Sequence, residues 1–393
     1  QLRRAVDTFP GITPVPFGVV AALAIGHVAM LYPLSWWLAS RLNSPTGPWS
    51  EVASWLFLPA MVVLFTSGSI ALGSLWLGKK PSGTDCGIVD IDVAGGQVRV
   101  TSYAGVWSPE NDTCAVSPEA SDAVVDVTSR RMGSGGVSAT VSWFADAGRS
   151  LGGADAPTAH PSLASHRYHH ADGPGRLIDV PIAAASSRLF ESRIDFDEDA
   201  AGEPAVIFEG RLDRHPQGTL RGQLVSRLPF PLKGCRLAYA GWVYSIGTLS
   251  SGDTFDPSRS RGPTSLGASI TRWTSSGDKD LPVRFDRDSR DSWRILEVAG
   301  FFSAAGGESY TGLPAGRLAR LDMSPLIEVN RAVLTGEGPA VADWSIDTPS
   351  ITLDDTREDA TRRGMWRFVV PLGRHLGTPP DDPSDSERGT TDP

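Results

Sequence analysis

Two long apolar stretches dominate the first part of the chain. No charged residue occurs between Asp7 and Arg41, and a second uncharged stretch extends from Val52 to Gly78. Each exceeds the roughly 20 residues that a helix needs to cross a bilayer, and tryptophans lie towards the ends of both, as in an interfacial aromatic belt. The predicted elements are a juxtamembrane segment, a first transmembrane helix, a short loop and a second transmembrane helix, at residues 1–15, 16–39, 40–51 and 52–78. A pair of buried core helices is the alternative.

The short loop predicts an antiparallel hairpin, so that the two flanks of the hairpin lie on the same side of the membrane. Arg3, Arg4, Lys79 and Lys80 flank its outer ends, whereas only Arg41 lies in the loop. Counted literally, the positive-inside rule places the large remaining region in the cytoplasm.

His27 lies in the middle of the first predicted span. An ionisable side chain at that depth is by default a candidate functional residue. Neither span contains a second charged group, and a proton or ion path would need more than one polar group. A neutral histidine bonded to the partner helix is therefore the favoured interpretation.

Beyond Pro81 the pattern changes to alternating apolar and polar positions, the period of a strand with one buried face. Gly95 and Gly96 mark a hairpin turn within the first such run. The predicted strand segments are 87–103, 123–128, 137–144, 176–182, 187–196 and 205–212. Strands at this spacing are typical of antiparallel sheets packed as a sandwich, which we predict for residues 83–214.

Residues 215–275 show the strand–turn–strand pattern of an immunoglobulin-like β module, with Gly241 at the turn. Its aromatic side chains can fill a thin two-sheet core; an exposed face that stacks on sugars is the alternative. The side chains expected to point inward are Leu237, Tyr239 and either Val243 or Tyr244. Trp242, beside the turn, is expected to be partly exposed.

Residues 276–372 form a mixed helix and strand region. The segment 288–304 has apolar residues near helical spacing, and in 323–335 Ser324 is a plausible N-cap with Leu326, Val329 and Val333 on one face. A last strand is predicted at 365–373, and the acidic, proline-rich residues 373–393 have the composition of a disordered tail. The predicted fold is mainly β, of sandwich or immunoglobulin-like type, attached to a two-helix transmembrane hairpin, with a few short helices.

Composition narrows the functional classes. The net charge of −9 over 393 residues argues against a general nucleic-acid binder, which needs a basic face. Cys86, Cys114 and Cys235 show no zinc or redox spacing. Cys86 and Cys114 could pair in an oxidising compartment, or all three could be lone thiols.

Two clusters resemble metal sites weakly. His160 and the run from His166 to His170 could hold a metal, although a solvated loop is favoured. Asp195, Asp197 and Asp199 are spaced like the start of a calcium loop. The sixth position is Ala200 rather than glycine, however, and the twelfth is Val206 rather than glutamate. Phosphate-binding, zinc-protease and dinucleotide motifs are absent from the sequence, and we assign no catalytic, cofactor-binding or metal residues and no cofactor.

Several segments together resemble a family of uncharacterised bacterial multi-domain membrane proteins, common in planctomycete-type genomes. The segments are FPGITPVPFGVV (9–20), YPLSWWLASRL (32–42), IVDIDVAGGQVRVTSYAGVWSPE (88–110), YSIGTLSSG (244–252), LDMSPLIEVNRAVLTG (321–336) and WRFVVPLG (366–373). Family members often have Gly-Pro-x-Asp-Tyr where this chain has Tyr32-Pro33-Leu34-Ser35-Trp36. The resemblance implies an envelope protein with extracytoplasmic β regions around a short cytoplasmic loop, and it supplies no catalytic residues.

The resemblance outweighs the charge count in our prediction of orientation. We expect a multi-pass protein of the inner membrane with its β region outside the cytoplasm. Its expected role is structural or protein-interacting rather than enzymatic, with the lipid bilayer and an envelope protein as partners and no nucleic acid. The alternatives are an accessory subunit of a membrane transport complex and a carbohydrate-binding envelope protein.

Overall fold

In the computed structural model of the chain, the described residues are 1–9, 12, 17–29, 59–60, 62–71, 81–129, 137–144, 169–171, 173–196, 206–259, 262–276, 279–347 and 363–377. The predicted loop at 40–51 and residues 378–393 of the predicted tail lie outside them. So do parts of both predicted spans.

Strands account for most of the described elements. In chain order they are β1 Ser82–Asp92, β2 Val98–Ser108, β3 Asp112–Ala120, β4 Val137–Trp143, β5 His169–His170, β6 Leu177–Ile182, β7 Ser186–Phe196, β8 Phe208–Arg214, β9 Leu220–Ser226, β10 Leu232–Tyr239, β11 Trp242–Leu249, β12 Thr254–Phe255, β13 Thr264–Ser265, β14 Trp273–Ser276, β15 Lys279–Pro282, β16 Arg331–Pro339, β17 Ala342–Asp347, β18 Arg363–Pro371 and β19 His375–Leu376. The helices with both ends described are α1 Leu2–Val6, α2 Phe17–Ala29, α3 Asp122–Ser129, α4 Leu266–Thr271, α5 Ser292–Gly300, α6 Glu308–Thr311 and α7 Ser324–Glu328, with 3₁₀ turns at Pro257–Arg259 and Gly316–Leu321.

A nine-stranded sheet organises the fold, in the order β13-β11-β10-β16-β18-β1-β2-β7-β4. Only the β1–β18 pair of this sheet is parallel. The sheet takes strands from all three predicted β-containing regions, 83–214, 215–275 and 276–372. These regions therefore share one hydrogen-bonded sheet rather than forming a sheet each.

One face of this sheet packs against two four-stranded sheets, ordered β12-β9-β8-β19 and β17-β3-β6-β5. Alternate residues of the central strands, such as Ile91 and Phe368, point into the shared core. The rings of Phe208 and Phe368 meet edge to face with centroids 5.2 Å apart. The prediction of a mainly β fold is confirmed.

The opposite face of the nine-stranded sheet is covered by helices. The intervening positions, among them Ile88 and Met365, belong to the same buried cluster as Ile295 and Leu296 of α5. The Asp291 side chain caps α5 by accepting a hydrogen bond from the Arg294 amide at 3.2 Å. The period-two alternation thus divides the apolar side chains of each central strand between a sheet–sheet core and a sheet–helix core.

The strand–turn–strand segment of β10 and β11 buries the side chains that its alternation predicts. Leu237, Tyr239 and Tyr244 lie in the core between the sheets, and the Tyr244 hydroxyl accepts a hydrogen bond from the Leu220 amide at 2.8 Å. Trp242 is 41% exposed, as expected beside the turn. Residues 215–275 also contribute β9 and β12 to the facing sheet. Both of the sheets to which these residues belong include strands from other parts of the chain.

Residues 123–128 form a helix, and the prediction of a strand there is wrong. The Ser121 hydroxyl accepts a hydrogen bond from the Val124 amide at 3.4 Å at the start of α3. Val124 and Val127, three residues apart on one helix face, are buried, whereas Val125 is exposed. The positions of these three valines are compatible with a strand or with a helix. The helix is the conformation that buries Val124 and Val127 on one face.

The predicted helix at 323–335 is shorter than expected. Helix α7 ends at Glu328, and Asn330 takes a left-handed backbone conformation with φ of 56°. The chain then enters β16, where Val333 packs in the sheet–helix core. Ser324 is the first helical residue rather than the N-cap, a position taken by Met323.

All three cysteines are free thiols. Cys86 packs on the helix-covered face of the nine-stranded sheet, whereas Cys114 lies in the core on the other face. A disulfide between them is therefore ruled out by the sheet that separates them. Burial, together with the nearby Asp112 carboxylate, raises the pKa of Cys114 to about 12.

Candidate interaction site at the attachment edge and the adjoining cleft

Helix α1, within the predicted juxtamembrane segment, packs as part of the folded domain. Leu2, Ala5 and Val6 are buried in the sheet–helix core. The side-chain amide of Gln1 donates to the Asp286 carbonyl at 2.7 Å. The N-terminal residues are thereby fixed against the loop that precedes α5.

The chain leaves the domain and returns to it at the same edge of the nine-stranded sheet. The Thr84 hydroxyl, at the start of β1, donates to the Val6 carbonyl at the end of α1. A Cβ at Gly105 would lie 2.7 Å from that carbonyl, which is too close for any side chain. Phe9 and Pro81, just beyond these contacts, are both buried. The described segments on either side of residues 10–80 therefore meet at this edge, and we call residues 10–80 the excursion.

Two helical pieces of that excursion contact each other. The ring of His27 in α2 lies 4.8 Å from the ring of Phe65, in a helical stretch at residues 62–71. No residue of α2 is buried, and apolar side chains such as Ile25 and Ile70 are about two-thirds exposed. Within the part of the chain that the structure describes, no helix combines the length and apolar character needed to cross a membrane.

A cleft with a volume of about 250 Å³ opens beside α1. Its walls include α1, α5 and residues 311–318, which lead into the 3₁₀ turn at Gly316–Leu321. The apolar side chains that line it include Leu2, Phe144, Phe285, Ile295, Phe302 and Leu313. Such a concave surface with few polar groups is typical of a site for a small apolar or amphipathic ligand.

The charged side chains that line this cleft are both basic. Arg3 and Arg317 line it. Glu191 of β7, 7% exposed, lies 3.7 Å from the Arg317 guanidinium and is also ion-paired with Arg320. One buried carboxylate thus faces two guanidinium groups, which leaves a local excess of positive charge.

Tyr103 connects this cluster to the sheet–helix core. Arg320 lies 3.5 Å from its hydroxyl, and its ring packs on Phe144, one wall of the cleft, at 5.0 Å. Burial raises the pKa of Tyr103 to about 12 and outweighs the lowering effect of Arg320. The hydroxyl therefore stays protonated at neutral pH and offers no negative charge to offset the arginines.

A second charged cluster is sealed between the sheet and the helices. Arg367 of β18 is fully buried and binds Asp90 of β1 through two hydrogen bonds, of 2.6 and 2.8 Å. Its third contact is the Leu321 carbonyl at 2.7 Å. These contacts tie the two parallel strands to the 3₁₀ turn that leads out of the cleft wall. They position the cleft but do not line it.

The weak metal motifs are not assembled into sites among the described residues. His169 and His170 are both exposed, and His169 lies 3.6 Å from Asp179. The Asp195 carboxylate accepts hydrogen bonds from Arg99 at 2.7 Å and Arg193 at 2.5 Å. The remaining candidates, His160, His166, Arg167, Tyr168, Asp197 and Asp199, lie outside those residues. Within the described ranges, no three His, Cys, Asp or Glu side chains are grouped so that they could hold a metal ion.

Sequence reasoning missed the cleft because its walls come from separate segments of the chain. The one local signal is Glu191, a carboxylate within the strand-like run SRLFESRIDF, where a buried charge requires a partner. The structure supplies two such partners from residues 316–321. Comparison with known proteins adds no identification, since no protein-family model and no curated protein matches the chain.

Proposed function

We propose that this chain is a membrane-anchored envelope protein whose β domain has a structural or protein-interaction role. The observation that carries the proposal is the attachment edge. The excursion of residues 10–80 begins and ends at neighbouring positions, next to the hydrogen bond between Thr84 and Val6. A hairpin that projects from the domain into a bilayer needs this arrangement.

The exposure of the helical pieces supports anchoring over burial in a core. Phe17 is 84% exposed and Ile70 is 67% exposed, although both lie in uncharged stretches. Large exposed apolar surfaces mark membrane or protein contacts. The ring contact of His27 with Phe65 gives this histidine a partner within the hairpin and favours a packing role for it over a place in an ion path.

We place the β domain outside the cytoplasm, at the inner membrane. The charge count that favours the opposite orientation includes Arg3 and Arg4. Both belong to α1, where Arg4 is paired with Asp288 at 3.3 Å. Because these charges belong to the surface of a folded domain, they are poor indicators of juxtamembrane charge. The family resemblance implies the same orientation.

The facing sheets support a sandwich as the architecture of this domain, with the nine-stranded sheet as one layer. The immunoglobulin-like type expected for residues 215–275 stays a prediction. A carbohydrate-binding role would use exposed aromatic rings, and in this segment Tyr239 and Tyr244 are buried.

The test replaces residues 10–80 by a short glycine–serine linker, which flexes enough to join neighbouring ends. We expect the full chain to stay in the membrane pellet after alkaline carbonate extraction. The linker variant should be released and should unfold at the same temperature as the full chain. If the variant fails to fold, the apolar helices belong to the core and the anchoring proposal is wrong.

Orientation is tested separately by adding protease to intact spheroplasts that express the full chain. We expect digestion of the β domain and protection of the hairpin. Protection of the β domain until the membrane is opened would place it in the cytoplasm, as the charge count suggests.

A further inference from the structure

We propose that the cleft between α1, α5 and residues 311–318 binds a free fatty acid, with its carboxylate at Arg317 and its chain along the apolar walls. The proposal goes beyond membrane anchoring and does not rest on it. It rests on the shape of the cleft, on its lining and on the balance of charge at its edge.

The size and lining of the cleft fit the hydrocarbon chain of a fatty acid. At about 250 Å³ the cleft is small compared with typical ligand pockets of about 300–1,000 Å³. It therefore suits a single unbranched chain better than a ring system or a nucleotide. The walls given by Phe144, Phe285 and Phe302 offer an apolar surface to such a chain and few groups that could bind a polar one.

The charged side chains at the edge of the cleft favour a ligand with a carboxylate head group. Glu191 carries one negative charge, and Arg317 and Arg320 carry two positive charges, so the group as a whole carries one positive charge. Arg320 holds the Glu191 carboxylate closely. The Arg317 guanidinium is 3.7 Å away from it, is 33% exposed and lines the cleft. A guanidinium in this position can bind a second carboxylate through two parallel hydrogen bonds, and one negative charge completes the local balance.

The experiment uses the full chain in lipid nanodiscs and a photoreactive decanoic acid as probe. After irradiation, labelled residues are mapped by mass spectrometry. We expect labels within 285–302 and 311–318, the segments that form the cleft. Labels within 17–29 or 62–71 report partition into the bilayer and serve as the internal reference.

Two variants and two matched controls separate the contributions of tail and head. Ala315→Trp should fill the cleft and abolish labelling there, whereas Ala319→Trp, at an exposed position that does not line the cleft, should leave it unchanged. Arg317→Gln should weaken labelling about tenfold through loss of a charge-assisted bond, whereas the exposed Arg374→Gln should not. Thermal unfolding of each variant establishes that it is folded.

Three results would overturn the proposal. The first is labelling confined to the bilayer helices in the unmodified chain. The second is equal labelling of the cleft by a photoreactive decanol, which would remove the role of the carboxylate. The third is unchanged labelling in a folded Ala315→Trp variant. None of these results affects the anchoring proposal, which fails only in the linker and carbonate experiments.

Discussion

The buried pair of Arg367 and Asp90 gives the most direct test of how the sheet is held together. Arg367→Met keeps an unbranched apolar stem at this position but removes the guanidinium. The Asp90 carboxylate then loses two hydrogen bonds and the Leu321 carbonyl loses one, in a site with no exposure at position 367. Breaking a buried ion pair by removing one partner costs about 3–5 kcal/mol.

The matched control lies at the start of the same strand. Arg363 pairs with Glu337 at 2.6 Å, but its side chain is 62% exposed. Exposed pairs contribute about 1 kcal/mol or less, so Arg363→Met should have little effect. Arg367→Met should lower the unfolding temperature by on the order of 10 °C in a domain of this size. The double variant Arg367→Met with Asp90→Leu should recover most of that loss, because it leaves no unpaired buried charge.

The assay is thermal unfolding of the full chain in detergent, followed by circular dichroism. Equal shifts for the two single variants would show that the buried pair has no special role. A double variant as unstable as Arg367→Met would show that the loss reflects poor packing of the methionine rather than an unpaired carboxylate. Either result would refute the reasoning.

Three further predictions concern burial and titration. Tyr239→Ala should cost about 3–5 kcal/mol and Trp242→Ala clearly less, because Tyr239 is 3% exposed and Trp242 is 41% exposed; equal shifts in thermal unfolding would contradict this. Burial favours a higher pKa for Asp195, but hydrogen bonds from its arginine partners lower it below the usual 3.8. The stabilisation from Asp195 should therefore be complete above pH 3.8 and be lost as the pH falls below it, and Asp195→Asn should flatten the pH dependence of the unfolding temperature in that range. Cys114 and Cys235, both buried, should react with iodoacetamide at pH 8 only after unfolding; labelling of Cys114 in the folded protein would show that its core opens.

The local sequence pattern predicts a strand correctly where apolar and polar residues alternate with a period of two along the whole segment. Residues 187–196 were expected to form a strand, and β7 spans Ser186–Phe196. The same reasoning failed at 123–128, because a short apolar run fits a strand or a helix equally well and its surroundings decide. At α7 the helix start was found to within one residue, but the left-handed Asn330 that ends the helix has no signal as strong as a glycine.

The pairing of strands and the cleft could not be predicted in this way. Strand β18 pairs in parallel with β1, so that Met365 lies beside Ile88 although they are far apart in the chain. Neither segment contains a local sequence signal that identifies the other as its pairing partner. Glu191 and Arg317 likewise come from distant segments, and only the completed sheet brings them together. The sequence alone therefore predicts single strands and helices and the buried faces of individual strands, but it does not predict the cleft.

The position of β18 explains why the cleft and the attachment edge belong to one structure. This strand, near the end of the described chain, lies between β16 and β1 in the middle of the nine-stranded sheet. Its Arg367 holds Asp90 of β1 on one side and the Leu321 carbonyl, at the end of the 3₁₀ turn that carries Arg317, on the other. Near the start of β1, the Thr84 hydroxyl donates to the Val6 carbonyl at the attachment edge. The attachment edge and the wall of the cleft are thus connected through β1, the pair of Asp90 and Arg367, and the Leu321 carbonyl. Because Arg367 is fully buried, this connection lies inside the domain, between the nine-stranded sheet and its helices.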